Sequence, residues 1–387
     1  MRIAKNISDL PKSGIRDFFE LVSNMGNDVI SLGIGEPDFV TPWHIREAAI
    51  YSLEKGHTNY TSNLGLFSLR DEICRYVEKD YGVKFSPHSE CIITVGVSEA
   101  LDLLFRAIIN PGDEIIYHEP CYVSYKAEIQ MAHGVPVPVA TKFEDKFALN
   151  PKDLRAAVTP KTKAILLNFP CNPTGATLTP EQMNEIAEIA VENDLIVISD
   201  EIYSELTYEN RQKSIASLPG MKERTVFLHG FSKAFAMTGF RIGFACGPED
   251  IIDAMMKIHQ YSMLCAPIIA QEAAEEALKN GIREMEEMRE EYRQRRNVIV
   301  KGLNKMGLDC LLPEGSFYVF PSIASTGLTS MEFATRLLEE AGVAVVPGTA
   351  FGESGEGYVR CAYATAMDDI VLALGKMDAF VGKLRNA

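Results

Sequence analysis

A lysine and an arginine that could bind one cofactor together lie a few residues apart, just after a predicted strand. The apolar run Thr225–His229 is typical of a strand, and Ser232 and Lys233 follow it among small and apolar neighbours. Because burial disfavours the ammonium form, the Lys233 amine is expected to be nucleophilic and able to form a Schiff base. Arg241 can hold a phosphate through charge-assisted hydrogen bonds. The two side chains together suit an aldehyde cofactor that carries a phosphate, although a single lysine is most often a solvated surface group.

Two further predicted strands lead into polar side chains. Ala164–Asn168 and Leu195–Ser199 are apolar runs without polar alternation, which is typical of strands buried on both faces of a parallel sheet. Asn172 opens a turn soon after the first strand, and Asp200 follows the second strand at once. Taken separately, Asn172 starts a common turn sequence and Asp200 suits the first position of a helix. Their order and spacing relative to Lys233 favour one shared site.

A carboxylate at the end of a buried strand needs a cation or several hydrogen-bond donors. For Asp200 the protonated nitrogen of a pyridine ring is a suitable cation, and a ring kept protonated attracts electrons. Pyridoxal phosphate enzymes combine such a partner with a Schiff-base lysine, which here is Lys233. Asn172 and Tyr203 are predicted to hydrogen-bond the phenolic oxygen of that ring. These residue types predict a site for pyridoxal phosphate.

A third strand end offers a place for the phosphate. The apolar run Cys91–Val95 leads into Gly96, Val97 and Ser98, which open a helix predicted over 98–109. Backbone N–H groups at the start of a helix bind anions, and glycine allows the backbone to come close. Ser98 could equally cap its own helix, which is compatible with anion binding.

The elements around these residues indicate an α/β fold. From about residue 42 to residue 280, predicted strands alternate with predicted helices, a pattern typical of a mainly parallel sheet whose carboxyl ends carry ligand groups. The turn Gly33-Ile34-Gly35 resembles a dinucleotide loop only in part, since the third glycine is missing and Pro37 interrupts the helix. A charged helical stretch over 271–306 is predicted to break at Gly281.

The sequence predicts two domains. We assign residues 42–285 to a large cofactor-binding domain and residues 286–387 to a smaller α+β domain. Residues 1–41 are predicted to form an arm and part of the small domain, with a helix over 15–25 and a strand over 29–32. In the small domain we expect strands at 316–320, 343–346 and 358–362 and helices at 330–341 and 368–384.

Composition argues against several other function classes. The chain of 387 residues has 53 acidic and 38 basic residues, so no overall positive field attracts nucleic acid. No apolar run approaches the roughly 20 residues of a membrane span, and the first residues lack the apolar core of a secretory signal. The eight cysteines are scattered singly, which is typical of reduced thiols in the cytoplasm. His118 and Cys121 are a local pair that hints at a metal, but without further ligands nearby we predict none.

The motifs together resemble the class I and II aminotransferases of pyridoxal phosphate fold type I. The similarity runs from Leu32–Phe39 to Tyr358–Arg360 and therefore covers nearly the whole chain. The segments 168–172 and 346–352 look closest to archaeal-type aromatic aminotransferases. The resemblance implies a large domain with a mainly parallel sheet of the seven-stranded type, and pyridoxal 5′-phosphate in Schiff-base linkage to Lys233.

The resemblance also implies roles for individual residues. Tyr122 is expected to stack on the pyridine ring, with packing in the core as the alternative. Tyr60 is expected to reach the phosphate bound by a neighbouring subunit, which would make the protein a homodimer. Arg360 is expected to bind the α-carboxylate of the substrate, with help from the Gly35 backbone and Asn172, although an arginine in a strand often faces solvent. The other implied cofactor contacts are Gly96, Val97, Ser98, Ser232 and Arg241.

The implied reaction moves an amino group from an amino acid to a 2-oxo acid. Some relatives that take aspartate carry a lysine where this chain has Ser98. We therefore predict an aromatic or other neutral amino acid as donor and 2-oxoglutarate as acceptor. Aspartate and alanine aminotransferases remain alternatives, as does a pyridoxal-phosphate-dependent C–S lyase that uses the same site and releases ammonia.

Overall fold

The computed structural model describes residues 3–8, 10, 29–209 and 213–385. The helix predicted over 15–25 lies outside these residues. The strands, in chain order, are β1 (Ile30–Ser31), β2 (Cys91–Thr94), β3 (Glu114–Glu119), β4 (Val135–Ala140), β5 (Thr162–Asn168), β6 (Ile196–Asp200), β7 (Thr225–Gly230), β8 (Gly243–Cys246), β9 (Tyr318–Val319), β10 (Val343–Ala344), β11 (Val346–Pro347) and β12 (Val359–Ala362).

Seven of these strands form a central sheet in the order β2-β8-β7-β6-β5-β3-β4. The pairs from β7 to β4 are parallel, and β8 runs antiparallel to both of its neighbours. The α/β class and the mainly parallel seven-stranded sheet are thus confirmed. Because β5, β6 and β7 are parallel neighbours, the residues that follow them meet at one edge of the sheet.

Helices cover both faces of the sheet and form much of the C-terminal part. The α-helices are α1 (Lys5–Ser8), α2 (Trp43–Glu54), α3 (Phe67–Tyr81), α4 (Gly96–Ile108), α5 (Ser124–Met131), α6 (Pro151–Ala157), α7 (Pro180–Glu192), α8 (Phe231–Ala234), α9 (Glu249–Ser262), α10 (Ile268–Asn280), α11 (Ile282–Lys305), α12 (Ser330–Ala341) and α13 (Met367–Arg385). The predicted break at Gly281 is present between α10 and α11. Of the helices described, none has the length and apolar character needed to cross a membrane.

Alternate residues of the strands build two separate cores. On β2, Ile92 belongs to the cluster that contains α4 and α9, whereas Ile93 belongs to the cluster that contains α3 and α10. The same alternation separates Ala245 from Phe244 on β8. Side chains of a strand point to opposite faces in turn, so a fully apolar strand is buried from both sides.

The C-terminal elements surround a third core that includes the N-terminal strand. β1 pairs in parallel with β10, and β11, β12 and β9 form an antiparallel sheet. Leu32 is fully buried with α11, α12 and α13 in this core. The N-terminal strand thus packs with the C-terminal elements, while the assignment of residues 1–41 to the small domain and the boundaries at 41 and 285 stay predictions.

The single strand predicted over 343–346 is in fact two strands. Val343 and Ala344 pair with Ile30 and Ser31, whereas Val346 and Pro347 pair with Arg360 and Val359. A run of apolar residues predicts burial, but it does not show that successive residues hydrogen-bond to different neighbours.

Candidate active site

A cavity of about 510 Å³ opens at the carboxyl edge of the central sheet. Its volume lies in the range typical of small-molecule sites. The predicted site residues that line it are Gly35, Val97, Ser98, Tyr122, Asn172, Asp200, Tyr203, Ser232, Lys233, Arg241 and Arg360. The wall also contains described residues for which no role was predicted: Glu36, Leu101, Tyr125, Asn168, Ile202, Thr238, Gly239 and Tyr318. The structure therefore brings together side chains that the sequence predicted from separate strand ends.

Lys233 lies on α8, a helix of one turn that starts where β7 ends. Phe231 and Ala234 are buried in the core, while Ser232 and Lys233 face the cavity. The Nζ atom of Lys233 donates a hydrogen bond to the carbonyl oxygen of Gly35 at 2.7 Å. Burial lowers the pKa of Lys233 to about 8, because the charged amine loses its hydration. The predicted desolvation of this amine is present.

Asp200 ends β6 and is buried at the floor of the cavity. The Tyr125 hydroxyl donates to its Oδ2 at 2.7 Å, and the Ile202 N–H donates to its Oδ1 at 3.2 Å. Burial raises the pKa of Asp200 to about 6, against the two hydrogen bonds, which lower it. No cation pairs with Asp200 among the described residues. A cationic ligand in the cavity would supply the missing charge.

An open space for an anion, which we call the cradle, lies at the start of α4 between Gly96, Ser98 and Arg241. Gly96 has a φ of +76°, and a Cβ atom on it would lie 2.9 Å from Nη2 of Arg241. Gly243 is as crowded, since its Cβ would lie 2.8 Å from the carbonyl carbon of Gly96. The cradle also contains Ser98, and the Arg241 guanidinium donates only to the carbonyl oxygen of Thr238 in the part of the chain that the structure describes. A helix N-terminus beside a free guanidinium suits an anion.

Arg360, on β12, is a buried guanidinium without a carboxylate among the described residues. Its Nη1 donates to Oδ1 of Asn172 at 2.9 Å, and its Nη2 donates to the carbonyl oxygen of Gly33 at 2.6 Å. Its Nε has no hydrogen-bond partner, and its exposed fraction is 3%. Arg360 and Asn172 are thus in contact, and the carbonyl oxygen of Gly35 accepts from Lys233. The expected help of Gly35 and Asn172 in binding a substrate carboxylate stays a prediction.

Four tyrosines line the cavity, and two of them, Tyr125 and Tyr318, were not predicted from the sequence. Tyr122 and Tyr125 lie edge to face at 5.6 Å between ring centroids. The hydroxyls of Tyr203 and Tyr318 lie 3.0 Å apart. Tyr125 lies in the first turn of α5, whereas Tyr122 precedes that helix, so their spacing gave no helical signal. No sequence signal links Tyr318 to Tyr203.

Two predicted contacts lie outside the cavity wall. Gly96 lies behind the wall, and the Arg241 guanidinium fills the space where a Cβ atom of residue 96 would lie. Tyr60 does not line the cavity, and its exposed fraction is 82%. An exposed tyrosine is compatible with a contact to another subunit, and that role stays a prediction.

Known proteins share this sequence and this fold. The family described as aminotransferase class I and II matches residues 27–373. The Bacillus subtilis protein YugH is 55% identical over 377 residues, with 97% of each chain covered. The aspartate aminotransferase of Pyrococcus abyssi is 46% identical over 381 residues, with 98% of each chain covered. The structure of an aromatic aminotransferase from Pyrococcus horikoshii is 46% identical, with a TM-score of 0.92 over 96% of this chain and 100% of that one.

Proposed function

This chain belongs to the class I and II aminotransferase family, and from that premise we propose that it transfers the amino group of an aromatic or other neutral amino acid to 2-oxoglutarate. The chain is a pyridoxal-phosphate-dependent aminotransferase of fold type I. One observation supports the proposed site above all others. A single cavity contains an amine of lowered basicity at Lys233, a buried carboxylate at Asp200 and a buried guanidinium at Arg360. Within the part of the chain that the structure describes, the carboxylate has no cation and the guanidinium has no carboxylate.

The side chains of the cavity fit pyridoxal 5′-phosphate. Arg241, Ser98, Ser232 and the N–H groups at the start of α4 would hold the phosphate, and Asp200 would hold the ring nitrogen. We assign the ring contacts to the remaining predicted residues, which are Tyr122, Asn172 and Tyr203. When bound, the cofactor supplies an aldehyde for the amino group and a ring that takes up electrons.

Lys233 is the group that moves protons. Its Nζ atom has a pKa of about 8, so a useful fraction of the amine is neutral near neutral pH. The neutral amine can attack an aldehyde, and once released it can take the proton from the α-carbon of a bound amino acid and give it back elsewhere. Asp200 stays charged above pH 6 and holds positive charge at the floor of the cavity.

The cavity wall supports a neutral donor. The cations that line it among the described residues are Lys233, Arg241 and Arg360, and each already has a proposed role. Tyr122 and Tyr318 offer aromatic surface, which suits a flat apolar side chain. The described residues of the same wall offer no further cation to the second carboxylate of 2-oxoglutarate, so we propose this acceptor from the resemblance to the family alone.

A substrate panel tests this function. The purified holoenzyme is mixed with 2-oxoglutarate and one amino acid at a time, and glutamate is assayed. We expect the highest kcat/KM with aromatic amino acids. Faster turnover with aspartate would overturn the assignment of a neutral donor, and faster turnover with alanine would replace the aromatic donor by a small neutral one. Release of ammonia without glutamate would identify the C–S lyase alternative.

The Arg360→Lys variant should bind substrates weakly. Lysine carries a point charge and cannot reproduce the fork of a guanidinium. A charge-assisted hydrogen bond contributes about 1.5–3 kcal/mol, so KM for both the amino acid and the oxo acid should rise by about tenfold to a hundredfold. Steady-state kinetics measure this, with Arg336→Lys as control because Arg336 is exposed and pairs with Glu340. An unchanged KM in Arg360→Lys would remove Arg360 from substrate binding.

The Tyr125→Phe variant should change the pH profile. The Tyr125 hydroxyl stabilises the charged form of Asp200, so its loss raises the pKa of that carboxyl. Because the enzyme needs Asp200 charged, the acid limb of log kcat/KM against pH should move upward by about one unit. Tyr292→Phe is the matched control, since the buried Tyr292 hydroxyl lacks a hydrogen-bond partner among the described residues. An acid limb that stays in place would contradict this role of Tyr125.

A homodimer is the proposed assembly. Tyr60 and Tyr261 have exposed fractions of 82% and 88%, and aromatic residues are enriched in protein interfaces. In the dimer Tyr60 would reach the phosphate bound by the other subunit. Sedimentation equilibrium should give twice the chain mass of 42.8 kDa, and an active monomer at micromolar concentration would contradict the proposal.

A further inference from the structure

Three cysteines from distant parts of the chain meet in the core. The Sγ atoms of Cys74, Cys91 and Cys246 all lie within 4.8 Å of one another, and the three residues are buried. We call this group the cysteine triad. It lies apart from the cavity described above, since no cysteine is among the described residues that line that cavity.

The fold brings the triad together at the edge of the central sheet. Cys91 on β2 and Cys246 on β8 are directly opposite each other in the antiparallel pair. Both belong to the sheet face covered by α3, which supplies Cys74. The triad therefore connects an edge strand, its neighbour and the helix above them.

A buried cation lies beside the triad. Arg70 precedes Cys74 by one helical turn and interacts electrostatically with Cys74 and Cys91. Its guanidinium donates to the carbonyl oxygens of Gly65 and Pro87, and no carboxylate pairs with it among the described residues. A buried charge is costly unless an opposite charge offsets it, and a thiolate of the triad would supply that opposite charge.

We propose that Cys74, Cys91 and Cys246 bind one soft, thiophilic cation as three thiolates, with Cu(I) and Zn(II) as the candidate ions. Thiolates select these ions over harder ones. With metal–sulfur bonds of about 2.3 Å, a trigonal site needs sulfur atoms about 4 Å apart, which is within the observed limit. Three thiolates around a divalent ion leave one negative charge, and Arg70 offsets it.

The site would be structural and not catalytic. Cys91 begins β2, and three residues later the strand ends at Thr94, close to the cradle at Gly96. Three residues of strand span about 10 Å, so the ion would lie at the opposite end of β2 from the cavity. We expect the ion to raise the temperature of unfolding and to leave kcat unchanged.

Binding should release protons. The cysteines would bind the ion as thiolates, so binding displaces the protons of thiols. The affinity for the ion should fall as the pH falls.

The test is a metal titration of the reduced holoenzyme after removal of metal by a chelator. The half-buried Cys265 is replaced in all samples (Cys265→Ser) to remove background binding. Zn(II) is measured by competition with a chromophoric chelator, Cu(I) in the same way without oxygen, and Cd(II) by its thiolate charge-transfer absorbance. We expect one ion per chain, with an affinity that increases with pH. No binding of any of the three ions would overturn the proposal.

Matched variants locate the ion. Cys246→Ala and Cys74→Ala should each lower the affinity at least about a hundredfold, since even groups behind the direct ligands contribute tenfold to a hundredfold. Cys310→Ala, which changes a buried cysteine outside the triad, should leave the affinity unchanged. Equal losses in Cys310→Ala and Cys74→Ala would overturn the assignment. If Cys246→Ala fails to fold, the affinities of Cys74→Ala and of the protein with an intact triad can still be compared, and that comparison tests the proposal.

Discussion

Replacing Lys233 with alanine is expected to lower kcat by about ten-thousandfold or more. The amine is the proposed point of covalent attachment for the cofactor and the proposed carrier of the α-proton, and positioned acid–base groups alone contribute about 10²–10⁴ to the rate. The visible absorbance of the cofactor bound to the enzyme should change as well, because alanine cannot attach to its aldehyde. Stopped-flow and steady-state kinetics with the preferred amino acid measure the first effect, and an absorbance spectrum measures the second.

The control for this variant is another lysine of the same chain. Lys257→Ala changes an exposed residue that pairs with Asp253 on α9, and it should keep full activity. Borohydride reduction of the unmodified holoenzyme, followed by peptide mapping, should place the cofactor on Lys233. A label on another residue, or an unaltered spectrum in Lys233→Ala, would show that the cofactor is attached elsewhere.

The parts of the site that follow strand ends could be predicted from sequence. Lys233, Asp200 and Asn172 each come within a few residues of an apolar run, so local patterns place them at one edge of the sheet. The Tyr125 hydroxyl bonds to Asp200 across 75 residues, and Tyr203 meets Tyr318 across 115 residues. Spacing in sequence carries no information about such pairs, because the fold alone decides which residues meet.

The fold shows the same division between local and distant information. The helix predicted over 330–341 has the observed bounds, since Thr329 forms a capping box with Glu332 and Gly342 ends the helix in a left-handed conformation. Strand β4 had no prediction of its own because its sequence contains Pro136 and Pro138. Proline is tolerated in an edge strand, and only the sheet order shows that β4 lies at an edge.

The cysteine triad is the clearest case of a feature that sequence could not show. Single cysteines without a short spacing motif indicated reduced thiols and no metal. The three sulfur atoms meet only because α3 covers the β2–β8 pair and the register places Cys91 opposite Cys246. Such a group depends on strand register, and one residue of slip would move a thiol to the other face.

Asp200→Asn should lower kcat by about a hundredfold to a thousandfold and at the same time stabilise the cofactor-free protein. The loss of activity follows because the ring nitrogen would lose its anionic partner, and a fixed charge of this kind contributes about 10²–10³. The gain in stability follows from the pKa of about 6, which burial raises above the ordinary value of 3.8. Between these values the folded protein binds more protons than the unfolded chain, so its stability falls as the pH rises.

Removing the cofactor separates the effect of Asp200→Asn on stability from its effect on activity. Above pH 6 the charged Asp200 costs about 3 kcal/mol in the cofactor-free protein, since one pKa unit corresponds to about 1.4 kcal/mol. Denaturant unfolding at pH 7 should therefore show Asp200→Asn to be more stable than the unmodified protein, and the difference should vanish near pH 4. Asp378→Asn changes an exposed residue on α13 and should alter neither kcat nor the free energy of unfolding. Normal turnover in Asp200→Asn would remove the carboxylate from the mechanism, whereas normal stability would show that the empty cavity already solvates it. When the cofactor binds, its protonated ring nitrogen is expected to offset the charge of Asp200 and so remove this cost. Asp200 would therefore destabilise the cofactor-free fold and strengthen cofactor binding.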